Sequence, residues 1–219
     1  MFINHFLKIT FAFTLLVSGN LIFAQSFEGQ VKYAMTYKDL PAEMAQFQSM
    51  LPTEATATVK GHMFKMEQPM GMGMKQITIM DNKEESGVLL MDMMGKKNAI
   101  VMSPEKRKEY ENNTNAADIK YFNETKQIAG YTCKKAIIKT KDSDFEMVVF
   151  YTEDIKGIVH HQTKGVKGFP LEYSINSGMF TVQLTAEKVT KTKINDAEFS
   201  IPPGYENITF EQFQKSIGR

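Results

Sequence analysis

Apolar and polar side chains alternate one for one through most of this chain, and a period of two commits it to β-sheet. Phe27, Gly29, Val31, Tyr33, Met35 and Tyr37 fall on one face of a first strand, with Glu28, Gln30, Lys32 and Thr36 on the other. Ala55, Ala57 and Val59 alternate with Glu54, Thr56, Thr58 and Lys60 before a turn at Gly61. Further strands are expected over 63–68, 73–80, 87–92 and 98–103, separated by Asp81-Asn82-Lys83 and Gly95-Lys96-Lys97. Others are expected near 130–140 and over 145–152, 170–176 and 179–190, with turns at 141–144 and at Asn176-Ser177-Gly178. Residues 104–118 read as a solvated polar loop.

Two helices complete the pattern. Asp39 caps the first, Pro41 sits in its first turn, and Leu40, Met44, Phe47 and Leu51 follow helical spacing before Pro52 ends it. Thr209 with Gln212 makes a capping box for a terminal helix carrying Phe210, Phe213 and Ile217. Roughly ten strands with hairpin-length connections describe one antiparallel sheet, which must cover its apolar face, close into a barrel, or hold something.

The N-terminus gives an address. Lys8 precedes the apolar run Ile9 to Val17, and Ala24 supplies the small residue expected before a cleavage site. Residues 1–24 are thus expected to be a signal peptide and 25–219 a single domain. The apolar stretch is broken by Gly19 and Asn20 and falls short of the ~20 residues needed to span a bilayer. The expected location is periplasmic or secreted. The sole cysteine, Cys133, is far from the new N-terminus, so no lipid anchor is expected there. One cysteine also excludes an intramolecular disulfide, leaving the core to stabilise the fold; 219 residues suffice, since a chain this long buries roughly 70% of its unfolded surface. With 26 basic and 25 acidic residues, the chain lacks the charge excess of a nucleic-acid binder.

Catalytic patterns are absent from the sequence: no G-x-S-x-G, H-E-x-x-H, P-loop or C-x-x-C occurs. Gly71-Met72-Gly73 lacks the third glycine of a dinucleotide site. His160 and His161 are adjacent, so on a strand they point to opposite faces and are expected at the surface or an edge. Cys133 stands beside Lys134 and Lys135, which could lower its pKa, although a half-buried strand thiol is the plainer reading. A non-enzyme with no cofactor is the expectation.

Methionine carries the positive signal. Ten of the 16 methionines lie between 63 and 102. Met70, Met72 and Met74 alternate with Gly71 and Gly73, which on an extended segment would place three thioethers on one side. Three readings compete: adaptable core filler, the deformable lining of an apolar ligand site, or thioether ligands for Cu(I) with His62, Met63 and Met66. Met63 and Met66 would face opposite sides of a strand, which weakens the copper reading.

Four segments carry a resemblance. They are Gln127 to Lys135 (QIAGYTCKK), Glu146 to Ile155 (EMVVFYTEDI), Gly165 to Tyr173 (GVKGFPLEY) and Phe199 to Tyr205 (FSIPPGY). In this order, behind a signal ending Phe-Ala-Gln, they resemble the exported bacterial family labelled domain of unknown function 4412. That family is similar in fold to the periplasmic lipoprotein carriers LolA and LolB. The resemblance implies a mainly β chain with few helices: a curved, unclosed antiparallel sheet, or half-barrel, with helices covering its concave apolar face. It brings no catalytic residue with it.

The resulting expectation is a non-enzymatic periplasmic binding protein, holding a lipid or other apolar small molecule in a Met-rich cavity. Met35, Met44, Phe47, Met70, Met72, Met74 and Met91 are the candidate lining residues. The alternatives are a Cu(I)-binding protein and a structural or interaction module without ligand.

Overall fold

A computed structural model describes residues 26–112, 116–140, 145–156 and 160–216. The expected signal segment and the turn at 141–144 lie outside the described residues. Twelve strands are present: β1 (Glu28–Lys38), β2 (Glu54–Lys60), β3 (Met63–Gly71), β4 (Met74–Asp81), β5 (Ser86–Met93), β6 (Lys96–Met102), β7 (Ala116–Ile128), β8 (Tyr131–Thr140), β9 (Glu146–Thr152), β10 (Phe169–Asn176), β11 (Thr181–Lys191) and β12 (Glu206–Ile208). All join one sheet in the order β12-β6-β5-β4-β3-β2-β1-β11-β10-β9-β8-β7. Two meanders, β1 to β6 and β7 to β11, are therefore welded edge to edge where β1 pairs β11. Every pairing is antiparallel except β12 on β6, so the sheet is mixed where an antiparallel one was expected. It is open and curved: β7 comes close to β11 although β8, β9 and β10 stand between them.

Register turns the alternation into a core. Val31, Ala57, Met66, Thr78, Leu89 and Ile100 are successive partners across six strands and form one buried row. The next row holds Gly29, Val59, Phe64, Met80, Gly87 and Met102. From the other meander Leu171, Tyr173, Leu184 and Val149 join the same inner cluster. Gly29 has a specific reason to lack a side chain, because a Cβ there would meet the Thr190 carbonyl at 2.1 Å. His160 lies in this core, not at a surface or edge as expected. Its ring sits 5.0 Å from Phe64 on β3, 5.0 Å from Tyr173 and 5.8 Å from Phe169 on β10. It thus fills the space between the two arms of the curved sheet.

The outer face is covered over β3 to β6 by the chain that leaves β11. Phe199 and Tyr205 pack there against Ile77, Ile79, Leu90 and Ala99. Lys65, nearly buried, anchors the same segment through Glu198 at 2.6 Å, with Glu67 at 3.5 Å. Met63 belongs to this outer cluster and Met66 to the inner one, so the two thioethers face opposite ways as the alternation requires.

Helical structure departs from expectation in two places. The helix expected after Asp39 shrinks to α1 (Ala42–Ala45) and a 3-10 turn at Gln48–Met50, and neither buries a residue. Pro41 takes the N-cap position, while Asp39 adopts φ 57° outside the helix. With no surface to pack on, so short a helix has little to propagate it. Conversely, the loop expected over 104–118 contains α2 (Pro104–Asn112). Ser103 begins it, accepting a bond from the Arg107 N–H on its carbonyl at 2.8 Å. Buried Arg107 then reaches the Asp81 and Ser86 carbonyls and Asn82 Oδ1. The terminal helix α3 (Phe210–Ser216) has the expected reciprocal capping box: Thr209 N–H donates to Gln212 Oε1 at 2.7 Å, and Gln212 N–H donates to Thr209 Oγ1 at 3.1 Å. Phe213 and Phe210 from α3 lie against the inner cluster.

Candidate functional site

A cleft opens at the end of the sheet where β1 begins. Its volume is about 910 Å³, within the range of small-molecule sites. The β2–β3 turn at Gly61-His62 forms one wall, and the segment from Lys191 to Phe199 forms another. Phe27, Met63 and Phe199 supply apolar lining.

Much of the charge in this cleft is internally matched. Lys60 Nζ donates to Asp196 Oδ1 at 2.6 Å and to the Ile194 carbonyl at 2.8 Å. Glu28 accepts from the Ile194 N–H at 2.7 Å and lies 3.9 Å from Lys60. The hydrogen bond to Asp196 raises the Lys60 pKa, so this lysine stays charged. His62 Nε2 is 3.7 Å from Asp81 Oδ1. Lys191, Lys193 and Asp154 remain, lining the cleft with no ion pair among the described residues. Lys191 ends β11, and Lys193 follows two positions on, beyond the strand.

None of the seven residues expected to line a site lines this cleft. Met91 is buried in the inner cluster, and Met35 packs partly buried against it. Met44, Phe47, Met70, Met72 and Met74 gather instead at the other end of β1, about 30 Å away at the rise of an eleven-residue strand. There the 42–52 segment adjoins the β3–β4 hairpin: a Cβ on Gly71 would lie 3.6 Å from the Met50 carbonyl and 3.7 Å from Pro52. Tyr37 ties the segment down, donating to the Pro52 carbonyl at 2.6 Å. Met70, Met72 and Met74 do not share one side of an extended segment, because Met72 occupies the hairpin tip at φ 52°. Met94, at φ 54°, caps the β5–β6 hairpin in the same way. Left-handed backbone costs roughly 1–2 kcal/mol for a residue with a Cβ, so asparagine or glycine usually fills such turns.

Nothing in the sequence marked Lys191 and Lys193, since two lysines flanking a threonine are ordinary at a strand end. Cys133 is fully buried. Burial first, then the carboxylates of Glu172 and Asp154, push its thiol up to about 11. The neighbouring lysines that could have lowered it are engaged elsewhere, Lys134 with Glu153 at 2.9 Å and Lys135 with Glu124 at 2.7 Å. The thiol is therefore protonated and unsuited to nucleophilic work.

Residues 27–159 match the family model described as Domain of unknown function (DUF4412). The chain belongs to the DUF4412 family. The DUF4412 match covers β1 to β9 and ends before β10. Two of the four resembling segments, 127–135 and 146–155, lie inside it, and the two later ones lie beyond. It also divides the cleft: Phe27, Lys60 and Asp154 fall within the DUF4412 region, Lys191 and Lys193 outside.

Among solved structures, this DUF4412 chain is similar to PNGF-II in two crystal forms, with TM-scores of 0.58 and 0.57 at 13% and 14% identity. The alignments cover 88% of this chain and 33% of PNGF-II. The chain thus spans about a third of that protein, and the likeness shows the fold alone. A beta-barrel-like protein of domain of unknown function DUF1849 from Brucella abortus aligns over 77% of this chain and 99% of its own, at 9% identity and a TM-score of 0.31. No curated protein matches the chain. No helix among the described residues is long and apolar enough to cross a membrane.

Proposed function

We propose that the chain is an exported, non-enzymatic binding protein that takes up a small molecule with an apolar body. The observation that carries this reading is the cleft of about 910 Å³ beside the start of β1, with Phe27, Met63 and Phe199 in its lining. Aromatic and thioether side chains offer shape-tolerant apolar contact, the property expected of the methionines and found here at a different place. A helix cover on the concave face of the sheet is part of this proposal, and the packing of Phe210 and Phe213 of α3 against the inner cluster supports it. Export after loss of residues 1–24 supplies the compartment, the periplasm or the exterior.

The chain purified without detergent is expected to carry an extractable apolar compound near one mole per mole, read by mass spectrometry of an organic extract. Repeated preparations with no such compound, together with no uptake of an added uncharged apolar fluorophore, would overturn the reading.

A further inference from the structure

We infer that the end of the sheet opposite the cleft docks on a phospholipid surface whose head groups carry no net charge, entering it with methionine-tipped hairpins. This inference is independent of what the cleft holds.

Register brings the tips together. Lys38 at the end of β1 pairs Thr181 at the start of β11, and Ala34 pairs Glu54 at the start of β2. Further pairings carry the same end across the sheet: Thr56 with Glu67, Lys75 with Asp92, and Asn176 with Thr181. The β1–β2, β3–β4, β5–β6 and β10–β11 connections therefore lie together, far from the cleft at Glu28 and Lys60. Each exposes large apolar side chains: Phe47 and Met50, Met70 and Met72, Met94, and Met179. Exposed apolar surface gathered in one region marks a place of contact. Met72 and Met94 also hold left-handed backbone, at φ 52° and 54°, where asparagine or glycine would sit more easily. Two turns thus display a thioether at the expense of backbone ease. At the cleft end the β2–β3 turn carries His62 and the β4–β5 turn carries Lys83, Glu84 and Glu85.

Charge selects the occupant. No charged residue occurs over 44–53, 68–74, 93–95 or 176–181. Charge flanks these tips and cancels: Lys38, Lys75, Lys96 and Lys97 stand against Asp39, Glu43, Glu67 and Asp92. Lys75 donates to Glu67 at 2.8 Å, and Asp92 accepts from the Gly95 N–H at 3.0 Å. A basic rim would be drawn to acidic lipids. A balanced one suits heads such as phosphatidylcholine, in which the charges also cancel. Tips on four separate connections need a medium that yields to each one independently, as acyl chains do, whereas a rigid partner would need a matching pocket for every tip. Unbranched thioethers adapt to irregular apolar surroundings, and their removal from water supplies the gain.

Vesicle co-sedimentation of the full chain tests this. The probe is vesicles of phosphatidylcholine alone, compared with vesicles containing phosphatidylglycerol, at low and high salt. The chain should sediment with phosphatidylcholine, and salt should not release it. A Met72→Asn, Met94→Asn double variant should bind roughly tenfold less or weaker still, since two apolar tips become polar. It should unfold in urea no earlier than the parent chain, because asparagine accepts left-handed backbone. Met179→Gln, on a separate hairpin, should weaken binding in the same direction. No sedimentation with either vesicle, or undiminished binding by the variants, would overturn the inference. Sedimentation with phosphatidylglycerol alone, released by salt, would overturn the uncharged head. Concentration-dependent dimers that the double variant abolishes, without vesicle binding, would overturn the lipid surface in favour of a second copy.

Discussion

Tyr33 and Tyr173 meet edge to face in the inner core, ring centres 5.9 Å apart, yet their hydroxyls differ in circumstance. The Tyr33 hydroxyl donates to the Pro170 carbonyl at 2.7 Å and so links β1 to β10. The Tyr173 hydroxyl is buried with no hydrogen-bond partner among the described residues. A made bond in the interior contributes about 1 kcal/mol, whereas a buried unmade one is a cost. Tyr33→Phe should therefore lose about 1 kcal/mol of stability in urea titrations, and Tyr173→Phe should be neutral or stabilising. An equal loss in both variants would show that the two hydroxyls are equally satisfied. At this scale the sequence was partly legible. Alternation placed Tyr33 on the inward face, because a strand's period needs only its own residues to be read. His160 was not legible, because its burial depends on β10 and the sequence-distant β3 closing around it together.

Among the elements, the hairpins were legible and α2 and β7 were not, for related reasons. A strand or helix is visible in sequence when one face is apolar. The side chains of β7 from Lys120 to Gln127 are exposed, as an edge strand permits, so no alternation marks it. In α2 the anchor is a charged residue, Arg107, whose guanidinium collects two carbonyls and an amide oxygen from the β4–β5 connection. An arginine in a run of Pro-Glu-Lys-Arg-Lys carries no sign that it will be buried. Arg107→Ala should cost about 1–3 kcal/mol, the range for leaving buried polar partners unmet. The loss should be local: amide hydrogen exchange should accelerate over 104–112 and the β4–β5 turn before the rest of the sheet responds. Acceleration spread evenly over all strands would instead mean that α2 is integral to the core.

Across the whole molecule, the methionines grade from core through partly buried positions to a rim, and the sequence could not separate the two extremes. Met66 and Met80 have no exposure, and Met91 and Met102 have little; they are core filler, matching the plainest of the three readings. Met50, Met70, Met72, Met94 and Met179 are all exposed, Met72 at 74% and Met94 at 81%. These five sit on loops and hairpins at one end of the sheet, opposite the cleft. Spacing in sequence does not distinguish them, because a hairpin tip and a strand interior differ only in where the chain reverses. Their placement has a chemical consequence. A thioether takes one oxygen from a peroxide, which leaves as water or alcohol, and the resulting sulfoxide is polar. Under limiting hydrogen peroxide, peptide mass spectrometry should find sulfoxide at Met50, Met70, Met72, Met94 and Met179 well before Met66 or Met80. Uniform oxidation of all of them would mean that the rim and core are equally accessible. With the division intact, peroxide would turn one apolar end of the molecule hydrophilic, while the sheet and the cleft at its far end kept their packing.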